Sequence, residues 1–132
     1  MPDLAKKLGL KPGMAVCVLG SPPEAEQAIR SSAPWAIFYT ALGGGRYDAI
    51  LFWPMELEGL VQRFAELQGC IVPDGSIWAV IPKQKFATRR GVYFTWEQMQ
   101  VAGLQTDLVD NKVASITEQD YGTRFVIRRE KR

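Results

Sequence analysis

Between Pro82 and Gly91 the chain gathers Lys83, Lys85, Arg89 and Arg90 around Phe86. Ammonium and guanidinium groups supply charge-assisted donors and the ring supplies a stacking face, so this run suits a phosphate, a carboxylate or single-stranded nucleic acid. Lys112, behind Asp110 and Asn111, could add a further cation or pair with a strand neighbour. The competing reading of the whole run is a solvated loop, the usual fate of clustered charge. Elsewhere the inventory is mostly exclusions. There is no histidine, which removes Ser-His-Asp and Cys-His nucleophilic mechanisms, histidine zinc sites and imidazole acid–base chemistry. Cys17 and Cys70 lie beside apolar runs with no base to activate them, and are expected to be free, inert thiols in a reducing compartment. Glu56, Glu58 and Glu66 fall off the apolar stripe of their segment and read as its solvated face. No catalytic residue and no metal site is predicted.

The charge is modest but uneven. Residues 1–82 carry 6 basic and 8 acidic groups, and residues 83–132 carry 10 and 6, which gives −2 and +4 and sums to the net +2. An anionic partner should therefore meet the second half. A net +2 without a recognition motif argues against nucleic acid as that partner. The longest uncharged stretch, Ser31 to Gly45, falls short of the roughly 20 apolar residues that cross a bilayer. Lys6, Lys7 and Lys11 precede an apolar run, but Asp3, Pro12 and Gly13 interrupt any leader-like pattern. A cytoplasmic protein of one domain, residues 1–132, is expected.

The elements that must position these residues follow from three apolar runs, at Met14–Leu19, Ala49–Trp53 and Ile77–Ile81. None alternates, as expected of strands buried on both faces of a parallel sheet. Pro54 to Gln68 sets Leu57, Leu60, Val61, Phe64 and Leu67 on one helical stripe and stops at Gly69. Ser21-Pro22-Pro23-Glu24 reads as a serine N-cap with a capping box, and Thr95-Trp96-Glu97-Gln98 repeats that pattern before a helix ending near Gly103. At the end of the chain, 112–117 and 123–128 alternate partly around a turn at Gln119-Asp120-Tyr121-Gly122, which predicts an antiparallel hairpin at the sheet edge. Trp35 to Leu42 predicts a further strand. Only about seven residues join it to the next, so it is either antiparallel or followed by a Gly43-Gly44-Gly45 loop returning across the sheet. Its lack of charge makes it a candidate pairing edge and predicts a homodimer.

Lys11-Pro12-Gly13 leading into Val16–Gly20, then Tyr47–Phe52, then the Pro73-Asp74-Gly75 turn before Ile77-Trp78, then a terminal hairpin, resembles the Rossmann-like S-adenosylmethionine (SAM) methyltransferases. Pro82-Lys83, Gly103-Leu104, Leu108–Val113 and Gly122-Thr123-Arg124-Phe125-Val126 are similar to a family of short bacterial methyltransferase-like proteins known as domain of unknown function 3052. The resemblance spans roughly residues 5 to 130. It implies a single three-layer, class I methyltransferase-like α/β domain in truncated form, with a mainly parallel central sheet and a C-terminal antiparallel hairpin. It brings no established activity.

The same resemblance marks Gly20, Ser21 and Trp53 as candidate cofactor-binding positions, and each departs from what SAM needs. The loop after the first strand keeps one glycine, while Pro22 and Pro23 lack backbone N–H donors and Glu24 is negative where the methionine carboxylate would lie. Tyr39-Thr40 offers no acid for the ribose hydroxyls. Phe52-Trp53-Pro54-Met55 is similar to an Asn-Pro-Pro-aromatic motif, with tryptophan in place of the amide. The expectation is a non-catalytic domain without a cofactor that binds a small anionic ligand, through Lys83, Lys85, Arg89, Arg90 and Lys112, or a protein partner. The alternative is a SAM-dependent methyltransferase with a degenerate cofactor loop.

Overall fold

A computed structural model describes residues 3–132. Six strands form one sheet in the order β2-β1-β3-β4-β6-β5, with β1 at Ala15–Leu19, β2 at Ile37–Tyr39, β3 at Tyr47–Phe52, β4 at Ile71–Pro82, β5 at Leu108–Ser115 and β6 at Asp120–Ile127. The first four are mutually parallel, and β6 lies antiparallel to both β4 and β5. Helices α1 (Asp3–Leu8) and α2 (Pro23–Ser32) cover one face, where Leu8, Leu10, Ala25 and Ile29 meet Val16, Val18, Leu51 and Trp78. Helices α3 (Leu60–Gln68) and α5 (Trp96–Leu104) cover the other, where Leu60, Phe64, Leu67 and Met99 meet Ile50, Phe52, Ile77 and Phe125. Three layers of this kind leave the central strands buried on both sides, which is why their runs show no alternation. A mainly parallel α/β sheet ending in an antiparallel hairpin is thus the observed architecture.

Strand β2 is shorter than the segment suggests, three residues, and it is parallel to β1. Its shortness makes the seven-residue return possible. Tyr39 stops level with Cys17, and β3 pairs Ala49 with Val16, so the chain must drop by about 10 Å and cross about 10 Å of sheet. Seven residues span that easily. The Tyr47 hydroxyl holds the return in place, donating to Ala41 O (3.3 Å) and accepting from Gly43 N–H (2.9 Å).

Four boundaries differ from the sequence reading. Pro22, not Ser21, is the N-cap of α2, with Pro23 at the first helical position and no side-chain cap bond. Helix α3 begins at Leu60 because Gly59, at φ +78°, breaks the stripe, and Leu57 is left exposed. Pro73-Asp74-Gly75 makes no free turn but a bulge within β4, where the register against β3 jumps between Ile71 and Ser76. The terminal hairpin turns at residues 116–119, so Asp120 opens β6 instead of occupying the turn. The box at Thr95 is as expected: its hydroxyl accepts from Gln98 N–H (3.1 Å) and Gln98 Oε1 accepts from Thr95 N–H (2.8 Å).

Two of the motif glycines serve packing. A Cβ on Gly103 would sit 2.5 Å from Phe125 Cε2, and one on Gly122 would sit 2.9 Å from Trp78 Cε3. Both aromatic rings are fully buried, so neither can move aside cheaply. Both cysteines are free; Cys17 is buried, and that burial raises its thiol pKa above the ordinary 9.0. Among the described residues no helix is long and apolar enough to cross a membrane, and no cluster of three or more acidic or cysteine side chains could hold a metal ion.

Candidate functional site at the carboxyl ends of the strands

Helix α2 leaves β1 toward one face and α3 leaves β3 toward the other, so a crevice opens between the ends of two adjacent parallel strands, the place where open α/β sheets receive ligands. A cavity of about 280 Å³ lies there, lined by Gly20, Phe52, Trp53, Met55, Glu58 and Arg63 among others. Its size is just under the roughly 300–1,000 Å³ of pockets for drug-sized ligands. Gly20 takes φ +73°, with open space where a Cβ would stand, and so keeps the mouth clear. Ser21 follows it without lining the cavity.

Trp53 is buried, and its indole N–H donates to Asp120 Oδ2 (3.0 Å). Arg90 clamps the same carboxylate, Nη1 to Oδ1 at 2.7 Å and Nη2 to Oδ2 at 3.2 Å, and Nη1 also reaches Gln119 Oε1 (3.3 Å). The Asp120 side chain is 2% exposed and the Arg90 side chain 23%. A carboxylate so deeply buried needs such a bidentate donor and a second N–H to offset its lost hydration. The triad therefore joins the end of β3, the start of β6 and the loop after β4. Trp53 offers a ligand the remaining surface of its ring but no N–H.

The remaining charges at the crevice are unfavourable to an anion. Glu56 and Glu58 line it, and Arg63 is drawn to Glu66 (2.7 Å). Pro22 and Pro23 present no N–H at the start of α2. Strand β2 ends at Tyr39, whose ring packs edge-on against Tyr47 with centroids 5.5 Å apart, and no acid stands there. These residues do not fit SAM, whose carboxylate wants donors and whose ribose wants an acceptor.

Of the five cations expected to share one anion site, the fold separates two from the rest. Arg90 is held by Asp120, and Lys112, out on edge strand β5, donates to Lys7 O at the end of α1 (2.7 Å). Carbonyls at a helix C-terminus attract such a cation, which explains why Lys112 leaves the loop cluster unjoined. Lys85 and Arg89 flank Phe86, at 5.2 and 6.0 Å from its ring centroid, and Lys83 starts the same short helix α4 (Gln84–Ala87). The loop closes on itself through Gly91, whose φ of +78° lets Gly91 N–H reach Thr88 O and Val92 N–H reach Ala87 O. What stays together is an exposed pair, Lys85 and Arg89, around one ring, with the half-buried Lys83 at the N-cap of the same helix.

Asp120 was not recognisable from sequence as a site residue, because Gln119-Asp120 has the composition of a turn and its partner lies 30 residues away. A further cavity has no counterpart in the sequence reading. It holds about 500 Å³ beneath the loop after α4 and is lined by Tyr93, Phe94, Trp96, Glu97 and Tyr121 together with the end of β4. Its signal was visible in the aromatic run Tyr93-Phe94-Thr95-Trp96.

No family model and no curated protein matches the chain. Solved structures are similar over nearly all of it. A SAM-dependent methyltransferase from Aquifex aeolicus matches at TM-score 0.62 and 15% identity, covering 96% of this chain and 89% of the other. The N-methyltransferase NodS from Bradyrhizobium japonicum, in complex with S-adenosyl-L-homocysteine, matches at 0.61 and 10%, covering 95% and 83%. The magnesium protoporphyrin IX methyltransferase ChlM from Synechocystis, with bound SAM, matches at 0.57 and 12%, covering 88% and 71%. At these identities the similarity shows the fold, and the fold is that of the Rossmann-like, class I SAM-dependent methyltransferases.

Proposed function

We propose that this chain uses the methyltransferase fold for binding without catalysis. The observation that carries this reading is the state of Trp53: its N–H is committed to the buried Asp120 carboxylate, at the position where the motif that Phe52-Trp53-Pro54-Met55 resembles has an amide for a target amine. Pro22 and Pro23 and the acidic lining support it from the cofactor side. The ligand surface is the exposed pair Lys85 and Arg89 at Phe86 with Lys83 at the start of the same helix, which suits a small anion or an acidic protein segment. Its place is the cytoplasm, consistent with two free thiols, and its family is the short bacterial methyltransferase-like group that its terminal motif resembles. The uncharged β2 edge, with Trp35, Ile37 and Tyr39 exposed, supports pairing with a second copy, and light scattering at tens of micromolar should report a dimer mass; a monomer would remove that part.

Calorimetric titration with SAM tests the central claim. Two lost polar contacts at about 1–3 kcal/mol each weaken binding by a factor on the order of 30 to 10^4, so a dissociation constant above about 50 µM is expected. A tighter value favours the second reading, a SAM-dependent methyltransferase with a degenerate loop, which the open cavity at Gly20 supports. The surface is tested separately: the double change Lys83→Ala and Arg89→Ala should reduce retention on heparin more than Arg129→Ala with Lys131→Ala, which removes equal charge. Equal losses would leave only net electrostatics.

A further inference from the structure

The cavity beneath the loop after α4 shares no lining residue with the crevice at Gly20 and Trp53. Its chemistry is of the opposite kind to the cationic loop beside it. Four aromatic residues, Tyr93, Phe94, Trp96 and Tyr121, and one carboxylate, Glu97, line about 500 Å³, and no lysine or arginine is among the lining residues. That volume lies inside the range of ordinary small-molecule sites.

Three of the four aromatic residues are held from outside the cavity, and Tyr93 stands exposed at its opening. Trp96 is tied through its indole N–H to Thr123 Oγ1 (2.8 Å) and packs on the core cluster with Phe94 and Tyr121. Glu97 sits in the first turn of α5, fixed by the reciprocal bonds between Thr95 and Gln98. Its carboxylate enters none of the ion pairs among the described residues, which join Arg30 to Glu26, Arg63 to Glu66 and Arg90 to Asp120. Glu97 is exposed at the opening, and burial first, then the Glu97 charge, push the Tyr121 hydroxyl above its ordinary pKa of 10.0. Aromatic faces carry negative quadrupole density, and a set of them beside an unpaired carboxylate attracts an organic cation and discriminates it from a neutral molecule of the same shape.

We propose that this cavity, walled by Tyr93, Phe94, Trp96 and Tyr121 with Glu97 at its rim, is a binding site for a small organic cation of the alkylammonium class. The proposal is independent of the anion surface and of the SAM question, since neither uses these residues.

Choline and tetramethylammonium are the probes, titrated calorimetrically against the full chain, with 3,3-dimethylbutan-1-ol as the neutral isostere of choline. Choline should bind saturably and at least about 10-fold more tightly than the isostere, the ratio expected when a cation–π and carboxylate contribution is present. Glu97→Gln should weaken choline about 5- to 10-fold, and Tyr93→Ala, at a side chain 79% exposed and so harmless to the fold, about 3-fold or more. Glu118→Gln, an exposed carboxylate outside the cavity, should leave the affinity unchanged. The proposal is overturned if neither cation saturates by about 20 mM, if choline binds no better than its isostere, or if Glu97→Gln behaves as Glu118→Gln does.

Discussion

The crevice at Gly20 and the cavity under the loop after α4 each hold a tryptophan whose N–H is already bonded and carboxylates outside the ion pairs among the described residues. They differ in the rest of their lining: two aromatic residues and Arg63 in the first, four aromatic residues and no cation in the second. In the crevice between β1 and β3 the indole N–H of Trp53 is taken by Asp120 and Arg63 is turned to Glu66. In the cavity under the loop, Glu97 has no ion-pair partner among the described residues, and Phe94, Trp96 and Tyr121 are packed against the core while Tyr93 stands exposed. The ligand class a pocket can take is set by what remains after the fold has satisfied itself. By that measure the crevice retains two carboxylates, Glu56 and Glu58, beside a committed Arg63, and the second cavity retains one carboxylate among four aromatic residues.

The largest test of this contrast is Asp120→Ala. It leaves Arg90 without its buried acceptor and Trp53 with an unsatisfied N–H, and should cost about 3–5 kcal/mol in denaturant unfolding. A loss under about 1 kcal/mol would mean that the triad is not a fixed support, and Trp53 would then count among the groups available to a ligand.

A smaller effect comes from alkaline pH. Burial raises the pKa of both Cys17 and Tyr121 relative to the unfolded chain. Above pH 9.0, the ordinary thiol value, the unfolded state loses the Cys17 proton while the folded state keeps it. Stability is then fully present below that pH and declines as pH rises toward the folded-state value. Tyr121 behaves alike from 10.0 upward. Melting curves from pH 8 to 11 should fall, and Tyr121→Phe should flatten the upper part. An unchanged slope in Tyr121→Phe would indicate that the second cavity is more hydrated than its aromatic lining implies.

The smallest effect belongs to Glu66→Gln. Its pair with Arg63 has side chains 54% and 39% exposed, and such pairs contribute about 0–1 kcal/mol. A shift below about 0.5 kcal/mol is expected. A larger one would show Arg63 to be a structural part of the crevice wall.

What was legible in the sequence was local. Buried strands announce themselves through uninterrupted apolar runs, and the α5 start through two residues, Thr95 and Gln98, that need only each other. The separation of Lys112 and Arg90 from the other three cations is not legible in the sequence, because each has its partner far away along the chain, 105 and 30 residues off. No spacing rule announces such pairs. Helix α3 shows the reverse failure: the stripe from Leu57 has helical period, yet the positive φ of Gly59 starts the helix later. The sequence leaves the direction of β2 open because register depends on where a strand stops, a matter of three residues here.

The insertion of β6 between β4 and β5 bears on how the chain is made. Until residues 120–127 have been synthesised, the twelve-residue β4 has a neighbour only on the β3 side. At ribosomal rates of about 5–20 residues per second, the 45 residues from Pro82 to Ile127 take roughly 2–9 s to appear. During that interval the nascent protein carries a long, apolar, unpaired edge, Ile77 to Ile81, at what will become the centre of its sheet. Truncations that remove β6 should therefore yield insoluble chains instead of a smaller soluble sheet, and the emerging polypeptide is a natural client for chaperones that shield exposed strands during translation.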